Sequence, residues 1–353
     1  MRDFRAFVQP SQSTEGAQDY GSDTASHNAD RRNFLAAATG MALFAGLGSF
    51  AGCSSSDEPG LRIATNPWIG YELLYLSREL GHLENSGVHL VELLSNSDSV
   101  QALAAGTVDG AGLTLDEALA ARAVGLDLKI VLVFDYSAGA DVLLARPEIA
   151  DLPALKGKRI GVEQTGVGAL MLDAALKQAG LLAADVEVIS LTVDQHLDAF
   201  QSGAVDALVT FEPIAALVVA AGGRRLFDSS AIPGSIIDVL ALSTKALEAN
   251  PNTARQLVAR YFQALAYLRQ SSADAARRIA PRLGLTPAAV HAAYQKITLP
   301  DLTENRRLLS GSPSPLETTA AQLATLMLQK ELLPRKTSVS GLIDARCLRE
   351  AQS

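Results

Sequence analysis

The sequence predicts an α/β protein with two doubly wound lobes, mostly parallel sheets and a ligand cleft between the lobes. Short apolar runs rich in β-branched residues alternate with segments whose apolar residues recur at helical spacing, which is typical of a parallel sheet covered by helices. The order strand–helix–strand–helix–strand occurs twice, and the chain after Pro251 has a mostly helical pattern. Two similar lobes followed by a helical extension account for these observations.

The composition is that of a globular protein and excludes some classes of function. Of the 353 residues, 48% are hydrophobic and 19% are charged, which excludes a disordered chain. The formal net charge is −8, and the body has no long run of Lys or Arg. Because phosphate binding needs clustered cations, we expect no nucleic-acid partner.

An internal repeat supports the two-lobe organisation. Arg62–Ala64 resembles Arg159–Gly161, and Ala102–Asp109 resembles Ala199–Asp206, in both cases at an offset of 97 residues. A constant offset over separate elements indicates two structural units built on one plan.

The predicted elements follow the same order in both copies. The first copy has strands at Leu61–Thr65, His89–Leu94 and Gly110–Leu113, with helices at Tyr71–Leu80 and Ser99–Ala105. The second has strands at Arg159–Glu163, Val186–Leu191 and Ala207–Phe211, with helices at Gly168–Gln178 and Gln195–Gln201. Further strands are predicted at Lys129–Phe134, Val142–Ala145, Arg225–Phe227 and Ile236–Leu242, and later helices at Thr253–Arg269, Ser272–Leu283, Pro287–Lys296 and Leu316–Leu332. We therefore expect residues 61–142 and 236–353 to form lobe 1 and residues 143–235 to form lobe 2.

The segment before the lobes has the pattern of an export signal. Arg31 and Arg32 are followed by Phe34-Leu35 and a weakly apolar stretch that ends at Ala51. A positively charged start, an apolar middle and small residues before a cleavage point are typical of a signal peptide. The paired arginines resemble the twin-arginine export signal.

The end of this segment resembles a lipoprotein box. Ala51-Gly52 precedes Cys53, the position at which such proteins are acylated, and residues 54–60 have the composition of a flexible tether. We expect residues 1–53 to be a disordered n-region plus signal, and lipidation of Cys53 to hold the protein at the periplasmic face of a membrane. An uncleaved transmembrane anchor is the alternative, because the apolar stretch approaches spanning length.

Several segments of the body carry a family resemblance. Asn66–Leu76 resembles the opening of type II periplasmic binding proteins, and Leu103–Asp109, Leu155–Val162 and Val209–Pro213 match the same proteins. The group that the chain resembles, over residues 61 to about 335, is the nitrate, sulfonate, taurine and thiamine-precursor binding family.

This resemblance implies the substrate-binding protein of an ABC importer. Such a protein captures a small polar solute between two closing lobes and delivers it to a permease with its ATPase. The resemblance further implies a hinge motion, a monomer, no cofactor and no catalysis.

The candidate ligand-binding residues follow the carboxyl ends of the predicted strands, because ligands of open parallel sheets bind there. In lobe 1 they are Trp68, Tyr71, Glu72, Asn96, Ser97, Thr114, Asp116, Glu117 and Tyr136, and in lobe 2 they are Thr165, Gly166 and Glu212. Asp141 and Asp238 are expected near the crossings between lobes, where they either face the cleft or brace the hinge.

Some of these residues also have a structural interpretation. Trp68, the single tryptophan, either stacks on a planar or cationic ligand or packs over the first lobe. Asp116, Glu117 and Glu212 each precede or begin a predicted helix, so helix capping is the alternative to ligand binding.

The charge pattern of the predicted cleft favours a nitrogenous ligand. Its loops hold several carboxylates and no Lys or Arg, so an anion such as nitrate or a sulfonate would depend on helix amides and hydroxyls alone. Acidic and aromatic groups suit a neutral or amine-bearing solute better.

Two other functions remain open at this point. A sensory protein that docks on a membrane receptor would use the same cleft. A pyrimidine-processing enzyme related to thiamine-precursor synthesis is less favoured, because no metal spacing or nucleophile pattern is present and Cys347 is the single cysteine of the body. The histidines, His196 among them, are expected at the surface or at helix ends.

Overall fold

The strands and helices follow the predicted order over most of the chain. The computed structural model describes residues 59–163 and 166–349. Its strands are β1 (Leu61–Thr65), β2 (Val88–Glu92), β3 (Gly110–Thr114), β4 (Leu128–Ser137), β5 (Asp141–Ala145), β6 (Arg159–Val162), β7 (Glu187–Ser190), β8 (Ala207–Phe211), β9 (Arg224–Asp228), β10 (Ile237–Ser243) and β11 (Ile297–Thr298). Its helices are α1 (Glu72–Glu79), α2 (Asn96–Ala104), α3 (Leu115–Ala123), α4 (Gly166–Ala179), α5 (His196–Ser202), α6 (Ile214–Ala220), α7 (Thr244–Ala249), α8 (Pro251–Gln270), α9 (Ser272–Leu283), α10 (Pro287–Tyr294), α11 (Leu302–Leu309) and α12 (Pro315–Gln329). The short elements α7, β11 and α11 were not predicted.

The first sheet has six strands in the order β11-β4-β10-β3-β1-β2. β1 pairs in parallel with β2 and β3, whereas β10 is antiparallel to both β3 and β4. The strands β1 to β4 therefore share one direction, and their carboxyl ends meet at one edge of the sheet.

The second sheet has five strands in the order β7-β6-β8-β5-β9. β6 pairs in parallel with β7 and β8, and β5 is antiparallel to β8 and β9. The predicted α/β fold with two sheets is confirmed. Each sheet, however, contains both parallel and antiparallel strand pairs and is not mostly parallel. The reason is that β5 and β10, the first strands after each crossing, enter their sheets antiparallel between parallel strands.

The internal repeat is visible as the same set of hydrogen bonds in both sheets. Arg62 donates from its backbone N–H (2.8 Å) and from Nε (2.9 Å) to Oδ2 of Asp109. Arg159, 97 residues later, donates from its backbone N–H (2.9 Å) and from Nε (3.1 Å) to Oδ2 of Asp206. In each sheet, the start of the strand that has two parallel neighbours (β1 or β6) is therefore joined in the same way to the loop before one of those neighbours (β3 or β8).

The two segments that connect the sheets, one after β4 and one after β9, are hydrogen-bonded to each other. Oγ of Ser137 lies 2.7 Å from Oγ of Ser229, which also accepts from the amide of Gly139 (2.7 Å). The amide of Ser137 donates to the carbonyl of Ile236 (3.1 Å). The crossings therefore form a single joint, which we call the hinge.

A buried aromatic cluster holds Tyr71 against β4. The ring centroids of Tyr71 and Phe134 are 5.1 Å apart, and those of Phe134 and Tyr261 are 5.2 Å apart. A Cβ atom at Gly112 would lie 3.0 Å from the Tyr71 ring, so glycine leaves the space that the ring needs. This packing fixes the direction of the Tyr71 hydroxyl.

The side chain of Asn305 completes the hydrogen bonding of β4. It is fully buried, accepts from the amide of Val133 (2.8 Å) and donates to the Val133 carbonyl (3.1 Å). Asn305, which lies in α11, thus forms with Val133 the two hydrogen bonds that a residue of a neighbouring strand would form.

Replacing Asn305 with Ala should lower the free energy of unfolding by about 2–4 kcal/mol, because two buried backbone groups of Val133 would lose their partner. Urea denaturation measures this change. Arg307→Ala, in the same helix but exposed, is the control and should leave the urea midpoint nearly unchanged. Equal midpoints for the two variants would contradict the role given to Asn305.

Candidate functional site

A narrow cavity lies between the two sheets, where the carboxyl ends of β1, β3, β6 and β8 face each other. Its free volume, measured as the space open to the centre of a water-sized sphere, is about 30 Å³. That is room for about two water molecules, so the lobes approach closely. Polar lining residues come from both sheets: Asn66, Asn96, Asp141, Glu163, His196 and Asp238.

Trp68 joins the two walls of the cavity. Its Nε1–H donates to Oδ2 of Asp135 (3.0 Å), and its ring meets that of Phe211 edge-on at a centroid distance of 5.6 Å. A Cβ atom at Gly70 would lie 1.8 Å from the same Asp135 oxygen, so the turn after β1 needs glycine here. The indole is therefore both a packing residue and part of the cavity wall.

Tyr71 presents its hydroxyl to the floor of the cavity. The hydroxyl donates to Oδ1 of Asp238 at 2.5 Å. Asp238 is the second residue of β10 and the register partner of Asp135 on β4, so the two carboxyl groups lie on neighbouring strands. Trp68 and Tyr71 thus supply one donor to each carboxyl of this pair.

Carboxyl groups are concentrated around the cavity. Those that are at most 5% exposed are Asp116, Glu117, Asp135, Asp141 and Asp238, which we call the acidic cluster. The part of the lining that the structure describes contains no Lys or Arg side chain. Buried carboxylates without a cation nearby are costly, because burial favours the neutral form.

This burial raises the pKa values of the acidic cluster. Burial raises the pKa of Asp116 to about 6 and that of Asp141 to about 7. The pKa values of Glu117 and Asp135 rise to about 8, again chiefly through burial. Burial and then the negative charge of Asp135 raise the pKa of Asp238 well above its usual value. Near neutral pH we therefore expect Asp135 and Asp238 to hold at least one proton between them.

Many oxygens of the acidic cluster are left for other partners. Among the described residues, no hydrogen-bond partner exists for Oδ2 of Asp116, Oε1 of Glu117, Oδ1 of Asp135, Oδ2 of Asp141 and Oδ2 of Asp238. A proton shared between Asp135 and Asp238 satisfies one pair of these oxygens. Each buried acceptor that stays unpaired costs about 1–3 kcal/mol, so a ligand with several N–H donors would be stabilised here.

Asn66 and His196 add polar atoms that point to a ligand. Both side-chain atoms of Asn66 and Nε2 of His196 have no hydrogen-bond partner in the described part of the chain. The His196 ring is held through Nδ1 by Oγ1 of Thr210 (3.0 Å), and burial lowers its pKa to about 4. The imidazole is therefore neutral. His196 does begin a helix, as expected, but its place in the cavity wall was not predicted.

Asn96, Thr114 and Glu117 form one network at the start of α3. Glu117 Oε2 accepts from the backbone N–H of Thr114 (2.9 Å) and from Nδ2 of Asn96 (3.0 Å). The capping interpretation of Glu117 therefore holds, while its second oxygen stays unpaired. Asn96 and Thr114 themselves line the cavity.

Further contacts join the two lobes. Ser97 Oγ donates to Oε1 of Glu163 (3.0 Å) at one side of the cavity. The carboxylate of Asp116 lies against the backbone of Gly166, the first residue of α4, since a Cβ atom there would be 2.0 Å from Oδ2. Farther out, Lys330 Nζ donates to Oδ2 of Asp173 (2.8 Å).

Glu72 and Tyr136, both predicted ligand contacts, lie away from the cavity. Glu72 is fully buried and accepts from Nε of Arg282 at 2.9 and 3.0 Å, while Arg282 stacks on the Tyr75 ring. Arg282 therefore balances the charge of the Glu72 carboxylate within the first lobe. Tyr136 is half-buried beside β11 and lines a separate surface pocket.

Glu212 is also a structural residue rather than a cavity residue. One of its oxygens is ion-paired with Lys296 and lies 3.6 Å from Nη2 of Arg225, and the other accepts from the amide of Ala216 (3.1 Å). The helix-capping interpretation therefore applies, and the ion pair with Lys296 ties β8 to the chain after α10.

Four of the sequence predictions fall outside the described residues. They concern Thr165, which directly precedes Gly166 in the sequence, and the export and lipidation positions Arg31, Arg32 and Cys53. They remain predictions from sequence.

The described residues also limit other kinds of site. Over residues 59–163 and 166–349, no group of three or more His, Cys, Asp or Glu side chains is arranged to hold a metal ion. No helix in these ranges combines the length and the apolar composition needed to cross a bilayer.

Two facing α/β sheets with a polar cavity at their hinge define a two-lobed solute-binding protein. The chain belongs to the NMT1-like family, whose family model matches residues 54–284. The family resemblance read from the sequence is thereby confirmed.

Individual relatives agree with this assignment. A candidate aliphatic sulfonates-binding protein of Escherichia coli (strain K12) is 26% identical over 298 residues, which cover 82% of this chain and 90% of the relative. The alkanesulfonate-binding protein SsuA from Xanthomonas axonopodis pv. citri, solved bound to MOPS, has a TM-score of 0.69 at 22% identity, over 81% of this chain and 98% of that one. The periplasmic nitrate-binding protein NrtA from Synechocystis PCC 6803 has a TM-score of 0.66 at 13% identity, over 84% and 88%. These relatives are named as solute-binding proteins, in agreement with the family assignment.

The acidic cluster predicts a specific dependence of stability on pH. A carboxyl whose pKa is raised by folding holds a proton that the unfolded chain releases above about pH 4. Its contribution to stability is complete below that pH and is lost as the pH rises through the folded-state pKa values of about 6 to 8. The contribution of the acidic cluster to the melting temperature should therefore fall between about pH 4 and about pH 8.

Asp238→Asn should reduce this slope, because it removes one negative charge from the Asp135–Asp238 pair and can still accept from Tyr71. Asp127→Asn, at an exposed aspartate, is the control and should keep the full slope. Thermal denaturation at a series of pH values measures both. An unchanged slope in Asp238→Asn would show that the pair does not hold the extra proton.

Proposed function

We propose that this protein captures a small, amine-bearing nitrogenous solute between its lobes and delivers it to an ABC permease with its ATPase. The observation that carries this proposal is the acidic cluster around a cavity whose described lining holds no Lys or Arg. The solute would supply the N–H donors and the positive charge that the unpaired carboxylate oxygens lack.

Electrostatics separates this ligand class from the anions named for the relatives. At an effective dielectric constant of about 20, one ionised carboxylate about 5 Å away costs an anionic ligand about 3 kcal/mol and favours a cationic one equally. Each of these two effects, the cost to an anion and the gain to a cation, changes the affinity about a hundredfold for each ionised carboxylate. Asp116 and Asp141 have the lowest pKa values of the acidic cluster that carry a number, so they are the first to ionise near neutral pH.

The aromatic walls suit the same ligand. Trp68, Tyr71 and Phe211 line the cavity, and an aromatic face attracts a cation placed over it. The narrow free volume supports a solute of few atoms, or a larger one that is admitted when the hinge opens.

A ligand screen with two aromatic variants tests this proposal. Thermal shift should detect a guanidinium, an aminopyrimidine or a polyamine, since a ligand at about 100 times its Kd stabilises the folded state by about 2.7 kcal/mol. Trp68→Ala should abolish the shift because it removes a cavity wall and the donor to Asp135. Tyr136→Ala, an aromatic residue outside the cavity, should retain it.

Stabilisation of the wild-type protein by nitrate or sulfonates alone would overturn the proposed ligand class and leave the importer role intact. Loss of the shift in both aromatic variants would point to a general loss of stability.

We further propose that the protein is exported by the twin-arginine route and anchored through an acylated Cys53. The support is the sequence around Arg31, Arg32 and Cys53. In a bacterial host with this export route, Cys53→Ser should move the protein from the membrane to the soluble periplasmic fraction and abolish labelling by a fatty acid. Cys347→Ser, at the buried body cysteine, is the control and should keep the label. A labelled Cys53→Ser variant would rule out this anchor.

A further inference from the structure

The start of α4 faces the cavity from the second sheet. The helix has 14 residues, and Val167 and Gly168 of its first turn line the cavity. The first amides of a helix have no partner within the helix and carry the positive end of its dipole. Such a position binds anions.

In this protein, a carboxylate from the other sheet lies at that position. Asp116 belongs to α3, and its Oδ2 is so close to Gly166 that a Cβ atom there would be 2.0 Å away. Asp116 is 4% exposed, and this oxygen has no hydrogen-bond partner among the described residues. Burial raises the pKa of Asp116, whereas the Thr114 hydroxyl and the Val167 amide favour its ionised form.

The other acidic groups of the cavity are held elsewhere. Glu117 accepts from Thr114 and Asn96, and Glu163 accepts from Ser97. Among the described members of the acidic cluster, Asp116 is the one in contact with the start of α4.

We infer that Asp116 determines the charge of the ligand: its carboxylate occupies the anion position at the start of α4, so that small anions are excluded and cations are favoured. This inference rests on the proposed function, because it assigns the selection for a nitrogenous cation to one residue. Asp116 contributes twice, by filling the position and by adding a negative charge to the cavity.

The test compares Asp116→Ala with Asp141→Asn by isothermal titration calorimetry. The probes are nitrate, ethanesulfonate and methylguanidinium. Asp116→Ala should gain about 100-fold in affinity for at least one anion and lose about tenfold for methylguanidinium, because charge and occupancy both change. Asp141→Asn removes a charge from the same cavity without opening the start of α4, so it should weaken methylguanidinium binding and gain at most the charge-only factor of about tenfold for an anion, well below the gain of Asp116→Ala.

Asp116→Asn keeps the shape of the side chain and guards against a misfolded Asp116→Ala. It should gain about tenfold for nitrate through loss of charge alone. Equal anion gains in Asp141→Asn and Asp116→Ala would overturn the inference, since any lost charge would then suffice. Anion binding by the wild-type protein, or no gain in either Asp116 variant, would do the same.

These outcomes separate the inference from the proposed function. A wild-type protein that binds no nitrogenous probe, combined with anion binding by Asp116→Ala, would overturn the proposed ligand and support the role of Asp116. Cation binding by the wild type without any anion gain in the Asp116 variants would give the opposite result.

Discussion

Desolvation of carboxyl groups between the two sheets is the constraint on which the rest of the cleft depends. A buried carboxyl is stable only with a proton, hydrogen-bond donors or a cation beside it. The protein supplies the Trp68 indole to Asp135 and the Tyr71 hydroxyl to Asp238. Gly70 leaves the room that the first of these contacts requires. The described lining supplies no cation, and the proposed ligand is one that would supply it.

The sequence predicted the elements whose signals are local and missed those that depend on distant partners. Arg62 and Asp109 recur as Arg159 and Asp206 at the same spacing. This pattern is visible in the sequence alone and predicts two equivalent sheets. Glu212, by contrast, finds its cation 84 residues away, in the segment after α10. No periodicity near Glu212 indicates that the chain returns there, so a loop carboxylate at a strand end was assigned to the cleft.

The antiparallel strands explain a second difference between the sequence prediction and the structure, the position of Asp141 and Asp238. In a parallel sheet only the carboxyl ends of strands reach the cleft, so the first residue of a strand is expected at the opposite edge. β5 and β10 run the other way, so Asp141, the first residue of β5, and Asp238, the second residue of β10, reach the cavity. The sequence left these two aspartates between cleft and hinge because the direction of a strand within its sheet cannot be read from the strand itself.

The hinge gives the molecule a mechanical property that neither sheet has alone. Because Ser137, Gly139 and Ser229 bond the two crossings to each other, neither crossing can bend without the other. Bending of one crossing is thus transmitted to the other, which favours a hinge motion in which each lobe moves as a unit. A permease that recognises the closed arrangement of the lobes would then respond to the closure itself and not to individual atoms of the solute.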